Sequence, residues 1–316
     1  MTRREALAKA TVTTTDAATG LLDPSQGTAF VRKLKEKTSL APVMRQEIRV
    51  ASAGEINKIA TGARIIRSAT ENADDGYRAG ATFGVVPFTT RKVRLPWEVT
   101  EDVFHENIEG SGLEATLVDE MTTQFALDLE DLEINGDTAD VSADAPFLTI
   151  NDGILKMLVT AAVAGRNIDG STINTGIWSK DHMFEMLYAM PNVYRRSGNL
   201  RWIMSPARAI QWWEYVTTRA TDGGDAALMG EGGSITRPLG VPILEVPSLP
   251  DHTVLLADPR NFVRVISWQV RRRKVTGETD AELAAKDKRF YIFFIKHDVV
   301  IEETNAVVRM HTLDPV

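Results

Sequence analysis

Residues 51–94 read as a single β-hairpin longer than a free-standing ribbon can be, and no other feature restricts the chain as much. The outgoing arm, EINKIATGARIIRSA, and the returning arm, TFGVVPFTTRKVRL, flank a turn-rich tip, TENADDGYRAG, where Asp75-Gly76 signals a tight turn. Arms of about 18 residues, at about 3.3 Å per residue, would reach about 60 Å. A two-stranded ribbon of that length is marginal in water. The hairpin is therefore expected to lie on something outside its own globule, which describes a building block of an assembly.

After the hairpin come a strand, a short helix and one long helix. Val93, Leu95, Trp97 and Val99 alternate with Arg94, Pro96, Glu98 and Thr100, the period of a half-buried strand. Ser111, three residues ahead of Glu114, forms a capping box. Leu113, Leu117, Met121, Phe125, Leu129 and Leu132 then recur every three or four residues, so one apolar stripe runs the helix's length. Asn135-Gly136 predicts a left-handed stop.

Charge is unevenly spread. From Glu101 to Asp140 there are 13 acidic residues and no Lys or Arg, although the whole chain is only −7. The rest of the chain is therefore net basic, with clusters in residues 1–49 and at Arg271-Arg272-Arg273-Lys274. Acidic and basic blocks in one chain can attract each other within a subunit or between subunits, or can be solvated faces of little energetic consequence. An acidic protein with pI near 5.4 repels a polyphosphate over most of its surface, so the basic run is read as a partner for the acidic block before nucleic acid.

The remaining segments suggest a mixed α/β organisation. Residues 1–24 are a Thr/Ala-rich tail, and a basic helix is expected from Ser25 to Thr38. Residues 141–275 read as a separate unit, with helices at Leu155–Ala164, from Ser179 to Met190 and after Ser205-Pro206, and strands at Leu200–Met204 and through GVPILEVPSLP and TVLLADPRNFVRVISWQ. Phe290–Ile295, Asp298–Ile301 and Ala306–Met310 read as closing strands that pair back toward the long helix.

Catalytic motifs are missing. The absence of Cys removes disulfides, thiolate metal sites and cysteine nucleophiles. His105-Glu106-x-x-Glu109 lacks the second His of a zinc-protease helix, and Gly110-Ser111-Gly112-x-x-Ala115 has no apolar strand leading into it. The Gly-rich loop at residues 223–233 has no adjacent Lys to cradle phosphate. No catalytic, metal-binding or cofactor-binding residue is expected, nor a membrane span, since the apolar runs are far too short.

The order of these elements resembles the major capsid proteins of tailed bacteriophages with the Hong Kong 97-like fold. The phrases that carry the resemblance are TFGVVPFTTRKVRLPWEVTEDVF, LEINGD at Leu132–Asp137, MPNVYRRSGNLRWIMSPARAIQWW at Met190–Trp213, RPLGVPILEVPSLPDHTVLLADPRNFVRVI at Arg237–Ile266 and FYIFFIKHDVVIEETNAVV at Phe290–Val308. The resemblance implies an α+β fold with a tail (1–24), an N-arm (25–50), an extended E-loop (51–94), a P-domain with a spine helix (95–140), an axial A-domain (141–275) and closing P-domain strands (276–316). It further implies self-assembly as hexamers and pentamers into an icosahedral shell around double-stranded DNA, assembled in a bacterial cytoplasm. Partners would be a separate scaffolding protein, a portal, a decoration protein in some shells and DNA contacted weakly, without sequence specificity.

Subunit contacts are expected at Arg32 and Lys33 of the arm, Arg64, Arg67 and Arg78 of the hairpin, Glu130 and Asp131 of the acidic block, and Arg271 and Arg272. The covalent cross-linking of the type member is expected to be absent, because the hairpin's Lys before its return strand is Lys58, near the base, and Asp287 and Phe294 stand where the family's Asn and Glu would fall. An encapsulin-type compartment shell is the alternative with the same fold. A hydrolase with a metal at the acidic block and His105 is the alternative from another class.

Overall fold

The computed structural model describes residues 38–61, 66, 68, 76, 78, 80–106, 113–218, 237–267, 271–276 and 281–314. The basic helix expected before Thr38, the hairpin tip except Gly76, Arg78 and Gly80, the capping Ser111 and the Gly-rich loop lie outside these residues.

The described residues open with β1 (Arg45–Arg49), the hairpin strands β2 (Ala53–Thr61) and β3 (Ala81–Thr89), and β4 (Arg91–Thr100). A short helix α1 (Glu101–Glu106) precedes the 23-residue α2 (Leu113–Asn135). Next come α3 (Ala145–Leu148), α4 (Ile154–Ala161), β5 (Asn167–Asp169), α5 (Lys180–Ala189), α6 (Asn192–Arg195), β6 (Arg201–Met204) and α7 (Pro206–Thr217). The last part holds β7 (Ile243–Glu245), β8 (Val254–Ala257), β9 (Phe262–Ser267), β10 (Arg271–Val275), α8 (Ala281–Ala285), β11 (Lys288–Ile301) and β12 (Val307–His311).

Two five-stranded sheets organise these elements. In the first, the 14-residue β11 is the axis: β4 pairs with it antiparallel from Lys288 to His297, while β10 and β9 pair with successive stretches of it and β1 joins β9 in parallel. The second runs β5-β12-β8-β6-β7. These memberships cut across the boundary expected at residue 275. β9 and β10 belong with β11, and β12 crosses into the second sheet beside β5 and β8.

The hairpin is also divided differently from its sequence reading. β2 and β3 pair from Ala53↔Thr89 to Thr61↔Ala81, but the return arm leaves the ribbon at Thr90. Both the backbone N–H and the hydroxyl of Thr90 donate to Ser52 O, at 2.7 and 2.9 Å, closing the ribbon's base. Arg91–Leu95 therefore belongs to β4 and the first sheet. The ribbon's base does not hang free of its own globule: Ile56, Phe88 and Val86 pack on Val263, Val265 and Val300.

Helix α2 ends without a left-handed residue at Gly136, contrary to the sequence expectation. Glycine is required there by crowding: a Cβ would collide with Asn151 O and stand 2.7 Å from Leu132 O. Gly153 N donates to Gly136 O at 2.8 Å, so the two glycines let the α2 and α4 termini touch by backbone. Ser179 also departs from expectation. It precedes α5, but its hydroxyl meets His182 Nδ1 at 3.1 Å and caps no backbone N–H.

Replacing Gly136 by Ala is expected to destabilise the unassembled chain by about 1–3 kcal/mol, because the clash is with backbone that cannot rotate away. Urea unfolding followed by circular dichroism measures it, and an unchanged midpoint would contradict the crowding argument.

Candidate assembly surfaces

Alternation along β11 gives the first sheet two chemically different faces, since residues two apart share a side and antiparallel partners stand opposite each other. One face carries Arg289, Tyr291, Phe293, Ile295 and His297, with Trp97, Leu95 and Val93 of β4 and Arg272 and Lys274 of β10 beside them. Helix α2 lies on this face. Phe125 and Leu129 pack against Ile266, Ile295, Val93 and Leu95 in its middle, and a carboxylate fastens each end.

At the N-terminal end, Glu114 accepts from Lys274 Nζ at 2.7 Å and stands 3.6 Å from Arg289 and 3.9 Å from Arg272. Arg289 in turn grips Glu101 through two bonds of 2.5 and 2.6 Å, which raises the guanidinium's pKa. Burial pushes the Glu114 carboxyl upward, but the Lys274 hydrogen bond and charge outweigh it and leave the pKa below the ordinary value. Trp97 stacks on Tyr291 with centroids 5.2 Å apart, and Lys274 and Arg272 lie over the Tyr291 and Phe293 rings.

At the C-terminal end, Glu133 is fully enclosed. Its Oε1 accepts from Arg264 Nε and from His297 Nε2, the latter at 2.6 Å. Burial alone would raise this carboxyl's pKa, but the Arg264 charge and the His297 and Arg264 hydrogen bonds prevail and hold it below the usual carboxylate range. One turn earlier, Glu130 accepts from Ser39 Oγ at 2.6 Å and Leu40 N at 2.9 Å, tying down the start of the described chain. Three carboxylates of the acidic block, Glu114, Glu130 and Glu133, thus fix α2 inside its own subunit.

The opposite face carries Lys288, Phe290, Ile292, Phe294, Lys296, Asp298 and Val300 of β11. The ribbon covers its Val300 end, where Asp298 accepts from Thr89 N at 2.7 Å and Asn151 Nδ2 at 2.6 Å, and Lys296 donates to Ser52 Oγ at 2.5 Å. Lys58 adds a contact at the ribbon's edge, 3.2 Å from both Glu303 Oε2 and Glu302 O. The ribbon's other side is bare: Phe83 and Val85 are 74% and 51% exposed.

Among the expected contact residues, Arg32, Lys33, Arg64 and Arg67 lie outside the described residues, and Arg78 is exposed. Glu130 is buried and accepts from Ser39 and Leu40 of its own chain. Asp131 is half-buried and accepts from Asn135 Nδ2 at 2.7 Å. Arg271 and Arg272 are brought to opposite faces of the sheet, Arg271 beside Phe294 and Arg272 toward Glu114. The sequence reading missed Glu133, Arg264 and His297, and it missed Lys92 and Arg94, whose period-two spacing within RKVRL was the available signal.

A cleft of about 580 Å³ between α2, β4 and residues 146–150 is lined mainly by Val93, Leu95, Phe125, Leu129, Leu132 and Phe147. Among the described residues no three His, Asp or Glu side chains converge as a metal site. No helix among them is long and apolar enough to cross a membrane.

The phage capsid family model matches residues 18–311. The chain belongs to the phage capsid family. This capsid chain is 28% identical over 334 residues to the prophage capsid protein YqbE of Bacillus subtilis (strain 168), covering 98% of each. Its fold is similar to that in the satellite phage P4 procapsid with the size determination (Sid) protein, at TM-score 0.72 and 13% identity over 98% of this chain and 96% of that one. It is also similar to the capsid of the empty GTA particle, at TM-score 0.57 and 12% identity over 99% and 98%. The capsid chain is a structural major capsid protein.

Glu133→Gln is expected to cost about 3–5 kcal/mol, since it leaves Arg264 buried without its counter-charge. The sign with pH follows from the lowered carboxyl. Its contribution is complete above the ordinary value of 4.5 and is lost as pH falls through the lower folded-state value. Unfolding free energies measured from neutral to acid pH should converge for the two proteins below that range; parallel curves would contradict it.

Proposed function

We propose that this capsid chain builds an icosahedral head of hexamers and pentamers around double-stranded DNA, with its hairpin as the element that engages a neighbour. The observation that carries the reading is the hairpin's two-sidedness. One side is locked to its own sheet by Ile56 and Phe88, and the other holds Phe83 and Val85 out with no described residue of its own chain covering them. An exposed apolar strip on a well-anchored ribbon is a surface built to be covered in an assembly.

In this reading the α2-bearing first sheet serves as the P-domain and the second sheet, with α5 and α7, as the axial A-domain. The arm before Thr38 serves as a further tie between subunits. Shell assembly takes place in the bacterial cytoplasm with a separate scaffolding protein and a portal, in some shells joined by a decoration protein. DNA is held by enclosure and weak backbone contact. The chain's role is geometric, without catalysis.

The test is negative-stain electron microscopy with sedimentation of the purified chain, alone and co-expressed with its scaffolding protein. Closed shells, tubes or capsomer rings are expected, and nuclease-protected DNA in particles from infected cells would separate a phage head from a compartment shell. Phe83→Asp should keep the subunit's circular dichroism and lower the assembled fraction about tenfold or more, the scale of losing one buried aromatic contact. A chain that stays monomeric even with its scaffold contradicts the reading.

A further inference from the structure

β4 pairs with β11 only as far as Arg91↔His297. Asp298, the next residue of β11, therefore stands where the sheet's edge opens and the chain turns out into the ribbon. Its carboxylate is buried and holds three donors: Thr89 N on Oδ2 at 2.7 Å, and Asn151 Nδ2 at 2.6 Å with Val299 N at 2.9 Å on Oδ1. Thr89 is the last residue of β3. Asn151 belongs to the turn between α3 and α4, and its carbonyl oxygen stands against Gly136 at the end of α2. Helix α4 fills the core shared by the two sheets: Ile154 and Leu158 pack with Val299 and Ile301 of β11 and with Ile203, Leu255 and Ala257 of the second sheet. One carboxylate thus meets the hairpin's root through one oxygen and the joint between the sheets through the other.

We infer that Asp298 couples the setting of the hairpin to the setting of that joint, so that displacing either one shifts the other. The apolar contact of Ile56, Val86 and Phe88 with Val263, Val265 and Val300 attaches the ribbon, but burial of this kind is non-directional and leaves it free to tilt. Hydrogen bonds to a carboxylate are short and directional, so the Thr89 bond fixes the tilt. The other fasteners at the root do not reach α4: Thr90 closes the ribbon on Ser52, and Lys296 ties Ser52 to β11. The Asn151 bond is what carries a change at the root onward to the joint, and by linkage carries a change at the joint back to the root. The inference rests on the shell reading for what displaces the hairpin; the coupling itself belongs to the single subunit.

Amide hydrogen exchange of the free subunit, followed by mass spectrometry, reads both ends of the coupling at residues 88–90 and 149–153. Asn151→Ala alters a residue whose described side-chain bond goes to Asp298 and not to the hairpin. It should nevertheless speed exchange at 88–90 about threefold or more. Asp298→Asn keeps the side chain's shape but offers one acceptor oxygen where two are in use. One link is lost whichever way the amide turns, and both segments should exchange about tenfold faster. Combining Asp298→Asn with Asn151→Asp restores both links: the introduced amide accepts from Thr89 and donates to the introduced carboxylate. Exchange in both segments should then return to within about twofold of the unmodified chain, a rescue that separate structural roles for the two residues would not give.

Faster exchange at 149–153 alone in Asn151→Ala, with 88–90 unchanged, overturns the inference. So does a combined variant that exchanges like the single ones. Should Asp298→Asn fail to fold, Asn151→Ala, at a half-buried turn residue, decides by itself. If the free subunit responds as expected but the unmodified chain forms no particle with its scaffold, the shell reading fails and the coupling stands.

Discussion

The seam between α2 and β11 is the constraint on which the rest of the subunit depends. A helix of 23 residues has rotational freedom on a flat sheet if only apolar side chains hold it. Here a carboxylate at each end meets donors on the sheet, Glu114 with Lys274 and Arg289, Glu133 with Arg264 and the His297 ring. The apolar middle supplies most of the burial energy, and the ends fix angle and register. With that seam set, β11 has one face closed and the other available for the hairpin.

The acidic block therefore has a use that its net charge does not reveal. Glu114, Glu130 and Glu133 hold α2 within the subunit, and the last two are enclosed by partners far away in sequence. Exposed cations are spread over several surfaces, among them Lys92, Arg94 and Arg273 around Phe294, and Lys180 and Arg260 elsewhere. On our reading the anchored hairpin, with Phe83 uncovered, is the element that a second copy covers.

Much of the fold was legible because it is written in local periods. The three-to-four spacing from Leu117 to Leu132 gave α2, and the alternation from Val93 to Val99 gave β4. What was not legible depends on contacts between distant residues. The ribbon ends at Thr90 because Ser52 O takes both of its donors, and nothing in TFGVVPFTTRKVRL marks that point. Glu133 joins Arg264 and His297 across separations of 131 and 164 residues, so no spacing rule finds it. Gly136 looked like a turn glycine but is a contact glycine, a distinction that needs Asn151 in place.

Amide hydrogen exchange, compared between free subunits and assembled particles, tests the central claim most directly. The account predicts that protection gained on assembly falls on β2 and β3, while α2 and β11 residues at the seam exchange equally slowly in both states. Gains at the seam with none in the hairpin would contradict it, because the subunit would then complete its core only on assembly and the ribbon would not be the element that engages its neighbour.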